Sequence, residues 1–139
     1  MMENRPFDHM LGALHTHNPN IDGLTRAESN PDTTGSRASV QPLAEYQSQL
    51  DPDPNHEFSA VDLQILTAKP APTASPTCRA SSPATSQKQR NVAHSHKILY
   101  YFTPDKLPVL CNLATEFAVF NRWFSSIPGP TICNRAFAH

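Results

Sequence analysis

The chain has 139 residues, with 11 Lys and Arg set against 12 Asp and Glu. That balance gives neither the basic footprint of a nucleic-acid binder nor a basic stripe for an anionic membrane. Charged residues make up 17%, and 14 prolines stand beside only four glycines, so the irregular parts are expected to be stiff and extended.

No run of 18 apolar residues is present, which excludes a transmembrane helix in this sequence. The opening MMENRPFDHMLGAL has two acids and a short apolar patch, unlike a secretory signal. Cys78, Cys111 and Cys133 cannot all pair within one chain and none lies in a CxxC, which argues against a disulfide framework or a zinc site.

Residues 1–67 are mixed in composition. Phe7, Met10, Leu11 and Leu14 recur at helical spacing. His15 and His17 form a His-x-His, but beside Asn18-Pro19 they read as solvated loop residues rather than a metal pair. NPNIDG and SNPDTTGS carry turn chemistry. In DPDPNHEFSAVD, Asp51, Asp53, Asn55 and Asp62 fall at EF-hand ligand spacings. His56 stands where that loop needs glycine, and Pro52 and Pro54 oppose its geometry, so an EF-hand is not expected. FSAVDLQILT, residues 58–67, reads as a helix with Val61, Ile65 and Leu66 on one face.

Residues 68–95, AKPAPTASPTCRASSPATSQKQRNVAHS, contain no aromatic residue and few apolar ones beyond alanine. Such a stretch cannot bury enough surface to offset its ordering entropy. It reads as a disordered insert, taken as residues 68–97, with an ordered loop as the alternative. Residues 98–139 are the most protein-like part. ILYYF (98–102) fits a buried strand or apolar anchor, and Thr103-Pro104-Asp105 offers helix-start chemistry with Pro108 in the first turn. Leu107, Leu110, Leu113 or Ala114, and Phe117 predict one buried helix face, with Cys111 in the core. FAVF (117–120) reads as a buried strand. A Pro-Gly-Pro turn then leads into TICNRAFAH, where Thr131 is the expected first residue at a helix N-terminus.

A helix N-terminus presents unpaired N–H groups and the positive end of the helix dipole, so it suits a phosphate. A hydroxyl at that point would sit beside the phosphorus atom. Asn134, one turn further along the same face, could donate an amide N–H to a phosphate oxygen. On spacing alone, an N-cap threonine followed by surface polar residues is the simpler reading.

The segment FAVFNRWFSSIPGPTICNRAFAH resembles the signature of the phosphoesterase family that includes bacterial and plant non-specific phospholipases C and related acid phosphatases. There an aromatic-rich segment runs into a Pro-rich turn, a Thr or Ser, and then Pro-Asn-Arg. MMENRPFDHMLG resembles the family's opening motif, Glu-Asn-Arg-Ser-Phe-Asp-His. NPNIDGLTRAESNP and DPDPNHEF resemble intervening segments in the same order. Pro6 replaces the usual Ser, Asn121 the usual Asp, and Ile132-Cys133 the pair before Asn-Arg, where Cys133 reads as a small buried residue. The resemblance covers residues 1–67 and about 98–139, with the insert outside it.

The resemblance implies an α/β fold, here an incomplete alkaline-phosphatase-like fragment with the long disordered Pro/Ser/Thr-rich insert. It implies residues 1–67 as the N-terminal part of the phosphoesterase domain and 98–139 as its helix plus nucleophile-motif segment. Metal-assisted hydrolysis of a phospholipid or other phosphate ester is the implied activity. Glu3 and Asn4 match the first metal-ligating pair, and Thr131 matches the nucleophile, which also touches the metal. Asn134, Arg135 and His56 match substrate-binding positions. Without the resemblance, Glu3 and Asn4 would read as frayed terminal residues.

The family's strand before the first motif and its later His- and Asp-containing motifs have no counterpart here. The chain is therefore expected to be an inactive N-terminal fragment that does not hold its divalent metal ion tightly. The alternative is a non-catalytic, largely disordered interaction protein or a decayed gene product. No nucleic-acid partner is expected. The sequence leaves the head group, the metal, the oligomeric state and the location open.

Overall fold

A computed structural model describes residues 5–32, 34–46, 55, 57–61 and 92–138. Within them the secondary structure is mixed and short: α-helices, two 3-10 segments and one two-stranded sheet. The chain divides into two compact units. One comprises Met1–Glu28, Ser39–Tyr46 and Leu99–Phe124; the other comprises Ser29–Ala38, Gln47–Ile98 and Ser125–His139.

In the first unit, the predicted helical spacing from Phe7 to Leu14 becomes two pieces. These are α1 (Phe7–Met10) and a 3-10 segment, Gly12–Thr16. The break at Leu11 lets the chain turn beneath residues 21–24, where Leu24 N donates to Gly12 O at 2.9 Å. The crossing is so close that a β-carbon on Gly23 would lie 2.5 Å from that same carbonyl oxygen. A side chain at position 23 would have to push backbone aside.

Two small apolar clusters result. Ala13, Leu24 and Tyr101 pack with Val40, and Leu14, Ile21 and Cys111 pack with Phe7, Leu11, Leu107 and Ala114. Residues 98–102, expected as a strand or apolar anchor, behave as the anchor. A 3-10 segment, His96–Leu99, ends before an isolated parallel bridge between Gln41 and Tyr100. Tyr101 and Phe102 are buried.

In the second unit, β1 (Ser29–Pro31) and β2 (Arg37–Ser39) flank a turn in which Gly35 takes a φ of 86°. The Asp32 carboxylate organises that turn. It accepts from Thr34 N at 2.8 Å, Thr34 Oγ1 at 2.6 Å and Ser36 N at 3.1 Å. His96 Nε2 lies 3.1 Å from its other oxygen. These donors, the Thr34 hydroxyl first, hold the Asp32 carboxyl below the usual carboxylate value.

The helix α2 (Val92–Ser95) and the segment after it fall within the stretch read as insert up to residue 97. Ser95 is fully buried there. Residues 92–97 of that stretch are thus helical, and residues 68–91 lie outside the described ones. Of the helix expected over 58–67, residues 58–61 are helical and the rest lies outside the described residues.

The helix α3 (Pro108–Glu116) starts where proline chemistry places it, with Pro108 in the first turn. Its buried face, however, is Leu107, Cys111 and Ala114. Of the two alternatives at that turn Ala114 packs and Leu113 is 51% exposed, and the predicted stripe does not extend to Phe117, which is 75% exposed. Cys111 and Ala114 share one cluster with the larger Leu14, Ile21 and Leu107. Residues 117–120 are not a strand, and Phe117 and Phe120 are exposed. Apolar composition alone does not bury a segment that has no sheet partner among the described residues.

These two leucines make a direct comparison. Leu14→Ala should lower unfolding free energy by about 2–4 kcal/mol, the range for a buried leucine that leaves a cavity. Leu113→Ala should cost less than about 0.5 kcal/mol, as exposed substitutions do. Urea unfolding of the two variants checks the assignment, and equal losses would restore the predicted face.

Candidate active site

The second conspicuous motif builds its own local frame. Pro128 and Pro130 have no N–H to offer, so the turn before Thr131 contains few donors of its own. Gly129 N donates to Ile127 O at 3.0 Å. The helix α4 (Thr131–Ala138) follows. Asn134 N approaches Pro130 O at 3.5 Å, the position of a first intrahelical bond, which makes Pro130 the cap residue. Thr131 is thus the first helical residue, as expected, and stands one place inside the cap. It is exposed, so its hydroxyl is open to a ligand.

Asn134 has a different orientation from the one expected. Its Oδ1 accepts from Ile127 N at 3.0 Å, and its Nδ2 donates to Ile127 O at 3.1 Å and Gly129 O at 3.2 Å. The amide N–H groups, one of which was expected to reach a phosphate oxygen, are directed at backbone carbonyls. Arg135 is exposed on the same helix, and Cys133 is half-buried. Glu3, Asn4 and His56 lie outside the described residues.

The described end of the first motif, Arg5–His9, belongs to the other unit. His9 Nδ1–H donates to Tyr100 O at 2.6 Å, and the ring meets Phe102 edge-on at 5.0 Å. Burial lowers the His9 pKa below the usual histidine value, against the opposing pull of the Tyr100 carbonyl. Asp8 is shifted the other way. Loss of solvent raises its carboxyl, and the negative charges of Glu28 and Asp22 raise it further.

Sequence reasoning missed Asn121. Its Oδ1 accepts from Asp22 N at 3.0 Å, and its Nδ2 donates to Asn20 O at 2.7 Å. Arg122 Nε reaches Asp22 at 3.2 Å. The Asn-Arg pair of FNRWF thereby grips the NPNIDG turn, where the Asn18 side chain already accepts from Asn20 N. The signal available was the coupling of two polar motifs, but spacing cannot pair residues about a hundred positions apart. Beside it Phe120 and Trp123 meet edge-to-face at 5.4 Å, and both are exposed. Among the described residues, no group of three or more His, Cys, Asp or Glu is placed to hold a metal ion.

The turn, the threonine at a helix start and the Asn-Arg that follows carry a family signature, and the whole sequence agrees. The Phosphoesterase family model matches residues 1–139, and the chain belongs to that family. Among curated proteins it is 41% identical over 145 aligned positions to non-specific phospholipase C3 of Arabidopsis thaliana, with all of this chain and 28% of that protein covered. It is 38% identical to non-specific phospholipase C6 and 37% to non-specific phospholipase C1 of the same plant, each match covering all of this chain and 26% of the relative. The chain spans about a quarter of the length of these relatives.

The His9 environment has a pH consequence with a definite sign. A folded-state pKa below the ordinary value of 6.5 favours the neutral ring in the native protein. The stability it contributes is present above about 6.5 and is lost as pH falls through the lower folded value. Thermal unfolding should therefore drop in midpoint between pH 7 and 5, and His9→Gln should flatten that part of the profile. An unchanged slope in the variant would exclude His9 as its source.

Proposed function

We propose that the chain carries the nucleophile-bearing part of a metal-dependent phosphoric (di)ester hydrolase of phospholipase C type, built on an alkaline-phosphatase-like α/β fold. The family match over the full chain supports the reaction class, and the names of the plant relatives suggest the phospholipid substrate. The observation that carries the reading is Thr131: an exposed hydroxyl at the first position of α4, behind a turn made stiff by two prolines.

In this reading, Thr131 Oγ1 gives up its proton to solvent and attacks phosphorus as the bond to the leaving alkoxide breaks. The leaving oxygen takes up a proton, and water later releases phosphate or phosphomonoester from the threonine. Arg135 and His56 are the residues we assign to the phosphoryl oxygens. Glu3, Asn4 and Thr131 would hold the divalent cation. A carboxylate, an amide oxygen and a hydroxyl are hard oxygen donors, a set that fits such an ion. When bound, the ion lowers the pKa of the hydroxyl and offsets charge on the phosphoryl oxygens.

Three donors are few for tight binding, so the isolated chain is expected to show no multiple turnover. Residues 1–67 and 98–139 would form parts of one domain, separated by the segment between them. A non-catalytic interaction protein is the competing reading, favoured by the exposed run of Phe117, Phe120, Trp123 and Phe124.

Single-turnover labelling separates the two. Incubation with an activated aryl phosphate and a divalent cation should leave a phosphoryl group on Thr131, located by peptide mass mapping. Thr131→Ser should keep the label and Thr131→Ala should reduce it to background. A label on another residue, or none with any of Mg, Mn, Ca or Zn, would overturn the assignment.

A further inference from the structure

The bonds made by Asn134 give this residue a job distinct from touching phosphate. A Pro-Gly-Pro turn leaves only two backbone N–H groups between Ile127 and Pro130. Gly129 N is satisfied inside the turn by Ile127 O, and Ile127 N is satisfied by Asn134 Oδ1. The same side chain returns two N–H bonds to the Ile127 and Gly129 carbonyls. One amide thus fixes both polar groups of Ile127 and ties them to the first turn of α4. On Gly129 itself lies a second constraint: a β-carbon built there would come within 2.3 Å of Phe58 Cε1 and 2.8 Å of Cδ1. The Phe58 ring therefore lies directly on the glycine.

From this geometry we infer that Asn134 is a positioning residue: with the Phe58 ring it clamps the Pro128–Pro130 turn and so aims the Thr131 hydroxyl. The inference rests on the reading of Thr131 as the nucleophile. It explains why an amide serves at position 134. The site needs an acceptor for Ile127 N and donors for two carbonyls on one short side chain, and asparagine supplies both. An Asn134 that instead held phosphate would have to release its carbonyl partners first, leaving them without these bonds.

The test uses the full chain, labelled with nitrogen-15 and carbon-13 for solution NMR. In Asn134→Ala, exchange of the Ile127 amide should quicken about tenfold, as loss of a hydrogen bond of ordinary net strength would give. The Thr131 methyl signal should move toward its unfolded position. The Leu24 amide, bonded to Gly12 O in the other unit, should be unaffected and so reports any general loss of stability. Asn134→Asp, which keeps an acceptor for Ile127 N, should recover most of the Ile127 protection. Phe58→Ala should loosen Gly129 and shift Thr131 in the same direction.

Unchanged Ile127 exchange in Asn134→Ala overturns the proposal, as does equal acceleration at Leu24. Added inorganic phosphate that shifts the Asn134 side-chain amide signals and exposes Ile127 would also overturn it, by making Asn134 a direct ligand. The reading of Thr131 is judged separately by phosphoryl labelling of the parent chain. Absence of that label with a quickened Ile127 amide would leave the clamp standing and remove its catalytic purpose.

Discussion

Three consecutive aromatic residues, Tyr100 to Phe102, hold the first compact unit together. Tyr101 N donates to Gln41 O, Ala44 N donates to Tyr101 O, and Phe102 N donates to His9 O. The Tyr100 carbonyl takes the His9 ring N–H as well. Segments from three distant parts of the sequence thus meet on one strand-like run whose side chains are largely buried. Buried backbone groups must be paired, so none of these segments can leave without orphaning the others. Lys106 continues the arrangement. Its ammonium donates to Ala44 O, and its own carbonyl accepts from the Tyr46 hydroxyl. This fixes the start of α3, and with it the face that carries Cys111.

What could be read in the sequence was mostly what local chemistry dictates. Proline cannot sit in a helix interior, so Pro108 and Pro130 marked the starts of α3 and α4 correctly. The two family motifs were legible because unusual residue strings occur in order. On α3 spacing placed Leu107 and Cys111 on the packed side but extended that face too far, through Phe117. It left Leu113 and Ala114 as alternatives, and the structure packs Ala114 while Leu113 is exposed. The apolar FAVF likewise suggested a strand, though pairing is a property of partners and not of composition. The α/β expectation meets a mixed content with a two-stranded sheet, and the Phosphoesterase assignment covers the full chain.

The side chains that organise the turns were harder to foresee. Asp32, Asn121 and Asn134 all act by bonding backbone N–H or C=O groups. Such bonds leave no periodic trace, and only Asp32 and Asn134 have partners close in sequence. Of the residues assigned to chemistry, Thr131, Asn134 and Arg135 are brought onto one helix, with the hydroxyl exposed and the asparagine turned back on its own turn. The motif string thus located the start of a helix at Thr131. Its individual roles depended on rotamers, which a string of letters does not contain.

The contact between Phe58 and Gly129 makes these two positions one unit of sequence change. Any side chain at 129 competes for the space that the ring already fills. Substitutions at the two sites are therefore not additive, because the cost of one depends on the state of the other. A smaller residue at 58 would have to come first for a β-carbon at 129 to be tolerated. Replacement of the pair in this chain should pass in that order, and while the aromatic ring stays in place a side chain at 129 must displace it.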